Sequence, residues 1–229
     1  SELDGAVLAA GGVHVEPGAL EQLGDLVPGG GQIEIVSDAR VAGIYGMDVQ
    51  LALGARARAV HELAPGEQAK TVESLEALWH ALRLERAGTL VALGGGCTTD
   101  VAGFAAATYF RGIDWVAVPT TLVGQVDAAI GGKTAIDLPD GKNLVGAFHP
   151  PRAVFADTAT LRTLPDRELR AGLAEVVKYG AIRDAGFLDW LEKHVDALLL
   201  RDDDGLAEAI ARSCAHKADI VARDPFERG

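Results

Sequence analysis

Aromatic residues are scarce, at 5% of 229 residues, so any core must be built mainly from aliphatic side chains. Cysteine is almost absent. Cys97 and Cys214 cannot make a disulfide framework, and neither sits in a CxxC motif, which points to a reducing compartment, the cytoplasm. No apolar run approaches the ~20 residues of a membrane span, and no basic stretch leads into an apolar one near Ser1. Neither a membrane partner nor a signal peptide is expected. Positive charge is also short: 21 Lys and Arg face 33 Asp and Glu, a net charge of −12. That argues against nucleic acid, whose phosphates need a basic field. A small anionic ligand remains open if its positive site is local. The lysines are therefore worth locating: Lys70, Lys133, Lys142, Lys178, Lys193 and Lys217.

At about 100–200 residues per domain, this length allows one large domain or two small ones. Ile33–Val36 reads as a strand, followed by a turn at Ser37-Asp38. Val72, Leu75, Leu78 and Leu82 fall at helical spacing, with Gly88 expected to end that helix. Thr89–Leu93 reads as a buried strand that runs into Gly94-Gly95-Gly96 and then an Ala-rich helix through about Tyr109. Trp115–Val118 is a further strand, stopped by Pro119. Alternating strands and helices indicate an α/β fold with a mostly parallel sheet. From Leu164 the pattern changes to three helices, near 166–182, 185–200 and 204–222. Three helices are a thin basis for an independent core, so the natural protein is expected to continue beyond Gly229.

Four stretches carry candidate chemistry. Gly94-Gly95-Gly96 lies between a strand and a helix start, where the backbone approaches phosphates closely and the helix dipole favours an anion. A simple tight turn is the equal alternative. Thr120 and Thr121 follow the next strand and either cap a helix or contact ribose and phosphate. The stretch from Gln125 to Pro150 places Asp127, Lys133, Lys142 and Asn143 in glycine-rich chain read as irregular loop. Across 111–152, Arg111, Lys133, Lys142 and Arg152 balance Asp114, Asp127, Asp137 and Asp140, a neutral patch in an acidic chain. Lys133 and Lys142 are therefore expected to bind anionic groups rather than form surface ion pairs. Finally, Glu175 and Lys178 share a helix face at i, i+3. They are either a surface pair or, given Leu173, Ala174, Val176 and Val177 around them, part of a buried helix whose carboxylate needs a partner or a metal.

The order Gly94-Gly95-Gly96…Asp100, Pro119-Thr120-Thr121-Leu122, Gln125-Val126-Asp127, Gly131-Gly132-Lys133-Thr134, Gly141-Lys142-Asn143-Leu144 and Gly172-Leu173-Ala174-Glu175…Lys178-Tyr179-Gly180 resembles the 3-dehydroquinate synthase family. The resemblance implies a Rossmann-like, NAD-binding domain over 1–163. It implies the start of an all-helical metal- and substrate-binding domain over 164–229. It places NAD contacts at Asp38, Glu67 and Lys70, at Gly95, Gly96, Cys97, Thr98, Thr99 and Asp100, at Thr120 and Thr121, at Lys133 and Lys142, and at Thr160, Leu161, Arg162 and Thr163. It places an anionic phosphorylated sugar-acid substrate among Arg111, Asp127, Lys133, Lys142, Asn143, Lys178 and Lys217. Glu175 takes the position of a ligand to zinc or cobalt. The family's two further ligands are histidines beyond a segment that here reads Asp224-Pro225-Phe226-Glu227-Arg228-Gly229, and none of the present histidines lies in such a motif. A homodimer is also implied. The implied reaction converts 3-deoxy-D-arabino-heptulosonate 7-phosphate to 3-dehydroquinate and phosphate on the shikimate route, with NAD taking and returning a hydride. Other sugar-phosphate cyclases, or a truncated binding module, are the competing readings.

Overall fold

The computed structural model describes residues 12–224, so most of the Asp224–Gly229 segment lies outside the described residues. Eight strands appear: β1 Val13–Glu16, β2 Ile33–Asp38, β3 Ala57–Leu63, β4 Thr89–Gly94, β5 Asp114–Pro119, β6 Lys133–Leu138, β7 Gly141–Phe148 and β8 Val154–Asp157. Seven α-helices accompany them: α1 Leu23–Leu26, α2 Ala39–Leu53, α3 Val72–Ala81, α4 Gly96–Thr108, α5 Asp166–Arg183, α6 Ala185–Leu199 and α7 Asp203–Arg223.

Six strands form one parallel sheet in the order β1-β8-β5-β4-β2-β3. Its strands are aliphatic on both faces because both faces are covered. Ile33, Ile35, Val91, Leu93, Val116 and Val118 pack on one side with Val49 and Leu53 of α2. Val36, Leu90, Ala92, Trp115 and Ala117 pack on the other, under Val101, Ala102 and Ala105 of α4. Alternate residues thus serve opposite cores, as the two-residue repeat of a strand requires.

The helix over 72–82 is present but shorter than expected. It stops at Ala81, not at Gly88. Leu82 and Leu84 turn into the core, and the backbone N–H of Arg83 donates to the buried carboxylate of Glu34 at 3.1 Å, which draws the chain out of the helix. Gly88 instead closes a turn on Glu85. Asp38 is likewise the last residue of β2, and its Oδ1 caps α2 by accepting from Arg40 and Val41, both at 3.0 Å. The stretch after Gly131 is not irregular. It is a two-stranded antiparallel hairpin of β6 and β7, inserted between β5 and β8. Glycine is needed there for close approach: a Cβ on Gly146 would lie 1.9 Å from the Thr134 carbonyl oxygen. The hairpin rests on α4, where a Cβ on Gly103 would lie 2.4 Å from Thr134 Cγ2 and 3.0 Å from the Trp115 ring.

The three C-terminal helices match the spans read from the sequence. Asp184 caps α6 through the Phe187 N–H, and Asp202 caps α7 through the Gly205 N–H. Their apolar faces do not make a separate core. Leu169, Val176, Tyr179, Phe187, Leu206, Ile210 and Cys214 join the cluster that holds Leu122, Val126 and Ala129. A Cβ on Gly172 would lie 2.4 Å from Leu122 Cβ, so α5 approaches the α/β layer closely.

Candidate active site

Strand order reverses at β2 and β4: from β2 the chain steps outward to β3, then back across to β4 and on to β5. Such a switch point opens a crevice at the C-terminal strand ends, the usual ligand position of open α/β sheets. A groove of about 530 Å³ lies there, lined by Asp38, Gly95, Gly96, Cys97, Thr98, Thr120, Thr121 and Thr163 among others. Gly95 is the N-cap of α4, so the unpaired N–H groups of the first turn open toward it. A Cβ on Gly95 would stand 3.2 Å from Thr121 Cγ2, and one on Gly96 3.1 Å from Ala128 Cβ. The bare backbone leaves room for an extended diphosphate. A helix N-terminus approached through bare glycine backbone suits the diphosphate of a dinucleotide.

Several expected contacts point elsewhere. Thr99 Oγ1 donates to its own helix at Gly96 O. Leu161 is fully buried in the core, and Arg162 pairs with Asp203. Thr160 Oγ1 donates to Asp157 O at 2.7 Å. All three lie in the 3-10 turn Thr158–Thr163, and only Thr163 of that stretch lines the groove. Thr121 accepts from the Gly124 N–H at 3.1 Å, so capping accounts for one of its lone pairs.

A second cleft of about 640 Å³ adjoins α4 and the hairpin. It gathers Asp100, Asp127, Lys133, Asn143, Lys178 and Lys217 from α4, the 124–128 turn, β6, β7, α5 and α7. Asp127 sits in a π-helical turn, Gly124–Ala128. Single π turns interrupt regular helices, often at functional sites. Its Oδ1 lies 2.8 Å from Lys217 Nζ and accepts from Tyr179 Oη at 3.2 Å. Burial works against the Asp127 charge, but the Lys217 hydrogen bond and the charges of Lys217 and Lys178 outweigh it and hold the carboxyl below its ordinary value. The Tyr179 phenol is pushed well up, by burial first and then by Asp127, so it stays a donor. Lys178 pairs with Glu175 on the exposed side of α5. Residues Ala174 and Val177 are exposed, so this part of α5 is an amphipathic helix and not the fully buried one considered above.

Between the two cavities lies a buried cation. Lys70 is 3% exposed, and its Nζ donates to Asp100 Oδ2 at 2.7 Å and to Asn143 Oδ1. Asp137 and Glu67 each stand 3.9 Å away. Burial lowers the Lys70 ammonium, but the Asp100 hydrogen bond and the three carboxylates outweigh it, so the group is held above its usual value. Asp100 thus pairs with Lys70 at the junction of the two cavities. Cys97 lies beside this network, and burial and Glu67 raise its thiol. Lys142 does form an ion pair, 3.3 Å from Glu67 and 70% exposed, against the expectation that it would avoid one. Arg111 is exposed at a left-handed turn (φ 66°) and lines neither cavity.

A catalytic zinc takes three protein ligands. Among the described residues no three His, Cys, Asp or Glu side chains converge. Glu175 engages Lys178, and His194 directs Nδ1 at the Trp190 carbonyl at 2.7 Å while stacking on its ring. The described residues offer one ligand position and do not by themselves make a zinc site.

Two contributors escaped the sequence reading. Tyr179 was visible as the one hydroxyl-bearing ring in the apolar face of α5 but had no assigned partner. Asp157, buried at the end of the unforeseen strand β8, accepts from the N–H groups of Gly18, Leu20 and Ala159 and fixes the chain around the sheet's C-terminal end.

Comparison with known proteins follows the same geometry. Family models for the N-terminal and C-terminal parts of 3-dehydroquinate synthase match residues 60–171 and 172–229. The 3-dehydroquinate synthase of Xylella fastidiosa (strain 9a5c) is 57% identical over 203 residues, 85% of this chain and 51% of that protein. The chain thus spans about half the length of the curated relatives it matches. Among solved structures, a 2-deoxy-scyllo-inosose synthase complexed with carbaglucose-6-phosphate, NAD+ and Co2+ aligns with a TM-score of 0.86 at 32% identity, over 94% of this chain and 62% of the other. A 2-epi-5-epi-valiolone synthase from Streptomyces hygroscopicus subsp. jinggangensis 5008, with NAD+ and Zn2+ bound, gives 0.85 at 31% identity over the same shares.

Proposed function

This chain belongs to the 3-dehydroquinate synthase family, and from that premise we propose that the full-length protein converts 3-deoxy-D-arabino-heptulosonate 7-phosphate to 3-dehydroquinate and phosphate. One observation carries the reading: in a protein of net charge −12, Lys133, Lys178 and Lys217 converge on one cleft beside the glycine-lined crevice at the strand ends.

NAD bound in the crevice would supply reversible removal of a hydride from a ring hydroxyl, with no net oxidation over the cycle. The chain's own residues supply positioning and charge. Lysine ammoniums are compact cations suited to phosphate and carboxylate, and three in one cleft neutralise a substrate bearing both. They also stabilise phosphate as it leaves. Asn143 offers an amide to a ring hydroxyl. Asp127 stays ionised beside Lys217 and fixes that ammonium in the cleft. Glu175 serves as one metal ligand, and the others must come from outside the described residues. We assign α5–α7 to the beginning of the metal- and substrate-binding domain, and we expect a homodimer in the cytoplasm. No helix among the described residues is long and apolar enough to cross a membrane.

The test is phosphate release by the full-length protein, with the heptulosonate phosphate, sedoheptulose 7-phosphate and glucose 6-phosphate assayed side by side. Turnover of the first alone is expected. The structural likeness to valiolone and inosose synthases makes these the right competitors, and preferential turnover of either would assign the chain to that chemistry instead.

A further inference from the structure

We propose that Gln125 is a positioning residue: a buried amide that joins the walls of the crevice at the strand ends to the turn carrying Asp127, so that the two cavities hold one geometry. The proposal rests on the reading above, which gives the first cavity to the cofactor and the second to the substrate.

Gln125 is fully buried and lines neither cavity. A polar side chain in the core is costly unless fixed partners meet it. Gln125 Nε2 donates to Pro119 O at 3.1 Å and to Asp157 O at 3.0 Å, and it reaches Thr160 Oγ1 at 3.3 Å. Two backbone carbonyls settle which end of the amide points there, since only the NH2 group donates. These carbonyls end β5 and β8, so one side chain clasps the C-terminal ends of both strands. Each end runs into a wall of the crevice. Pro119 leads to Thr120 and Thr121, and Asp157 leads to the turn that ends in Thr163. Thr163 Oγ1 in turn donates to Thr160 O at 3.2 Å.

The main chain of Gln125 makes the second half of the link. Its N–H donates to Thr121 O at 2.9 Å, and its carbonyl accepts from Cys214 Sγ of α7 at 3.2 Å. Cys214 is fully buried, and Lys217 stands three residues on, along the same helix face. Lys217 Nζ meets Asp127 Oδ1 at 2.8 Å, and Asp127 follows Gln125 by two residues in the same π turn. The contacts thus close a ring that runs from Gln125 through Cys214, α7, Lys217 and Asp127 back to Gln125. The crevice walls hang on the amide end of that ring. Packing alone would be served by an apolar side chain of the same size. The Gln125 Oε1 finds no partner among the described residues, a cost that an apolar side chain would avoid. What distinguishes the amide is the pair of strand ends that its Nε2 holds together.

The test uses the full-length protein and three variants. Gln125→Met keeps the volume and removes the donor. Gln125→Glu keeps the shape, its neutral acid still offers one hydrogen bond, and it carries the test if the first variant does not fold. Leu198→Ala, a core change on α6 that lines neither cavity, is the control for lost stability. Calorimetry reads the Kd and the stoichiometry of NAD, and steady-state kinetics reads KM and kcat for the heptulosonate phosphate. A merely structural lesion lowers the fraction of molecules that bind and leaves the Kd and KM of the rest alone. A displaced wall changes the constants themselves. In Gln125→Met the NAD Kd should rise about tenfold and KM about fivefold, with Gln125→Glu between it and the parent. Leu198→Ala should hold both within about twofold. Constants near the parent's in the folded Gln125 variants would overturn the proposal. So would a change confined to one cavity, or an equal shift in Leu198→Ala. Absence of turnover in the unmutated protein would sink the assigned reaction, and the role of Gln125 would then be read from the NAD Kd with hydrogen exchange. Faster exchange in peptides 119–129 and 158–164 with weakened NAD supports it, and unchanged exchange overturns it.

Discussion

Asp127 stays charged because Lys217 holds it, and that makes the pair testable by pH. Its folded pKa is depressed, so the stabilisation is present above the unfolded carboxyl value of about 3.9 and is lost as pH falls through the lower folded value. Lys217→Met removes the largest counter-influence and leaves burial opposed mainly by Lys178. The Asp127 carboxyl should then titrate higher, which a carbon-detected NMR titration reads directly, and stability at pH 7 should fall by about 1–3 kcal/mol. An unmoved titration would show that Lys217 does not govern Asp127. Gly95 makes a second residue-scale prediction. Val at this position would carry two methyls into the space beside Thr121, which a bare Cβ already approaches to 3.2 Å. NAD affinity should drop by about tenfold or more, equivalent to 1.4 kcal/mol, and undiminished binding in calorimetry would show that the crevice is misassigned.

At the scale of elements, α4 is the hub. It lies against β4, β5 and the hairpin, and its alanines and Gly103 permit that crowding. Gly103→Val would drive a branched side chain into Thr134 and Trp115, so a loss of about 1–3 kcal/mol in denaturant unfolding is expected, with preferential loss of protection in β6. A neutral effect would mean that the hairpin is not seated as described. What was legible in the sequence follows the strength of the local signal. β4, β5 and α4 announced themselves through unbroken aliphatic runs next to glycine and proline, and α5–α7 through helical spacing. α2 was missed because Gly43 and Gly46 interrupt its apolar pattern, although Gly46 is buried on the inner face. β1 and β8 span four residues each and gain their identity only by pairing with strands distant in the chain. The hairpin was taken for a loop because its glycines signal turns, whereas here they permit close strand contact. Among site residues, the lysines of the cleft were readable from their rarity. The grip of Lys70 on Asn143 was not, because nothing local links positions that far apart.

For the molecule as a whole, a net charge of −12 leaves positive charge local, with Lys133, Lys178 and Lys217 meeting Asp100 and Asp127 in one cleft. The metal is the other whole-molecule matter. With Glu175 as the one ligand position recognised, the 229-residue chain is expected to hold zinc weakly. Metal analysis after dialysis should find well under one equivalent, against about one in a protein of the relatives' full length. Stoichiometric zinc in the shorter chain would show that the ligands have been misplaced.

The sheet order has a consequence for how this protein is made. β1 has one neighbour, β8, and that partner is the last strand of the sheet in sequence. On a ribosome adding about 5–20 residues per second, the first strand would emerge and then wait on the order of ten seconds for the strand that covers its edge. During that interval a short β-forming segment lies open to any other nascent chain. The burden falls on whatever shields it, a chaperone or the speed of elongation itself, and synonymous codon changes that slow translation between the codons for Glu16 and Val154 would lower the soluble yield without altering a single contact in the finished fold.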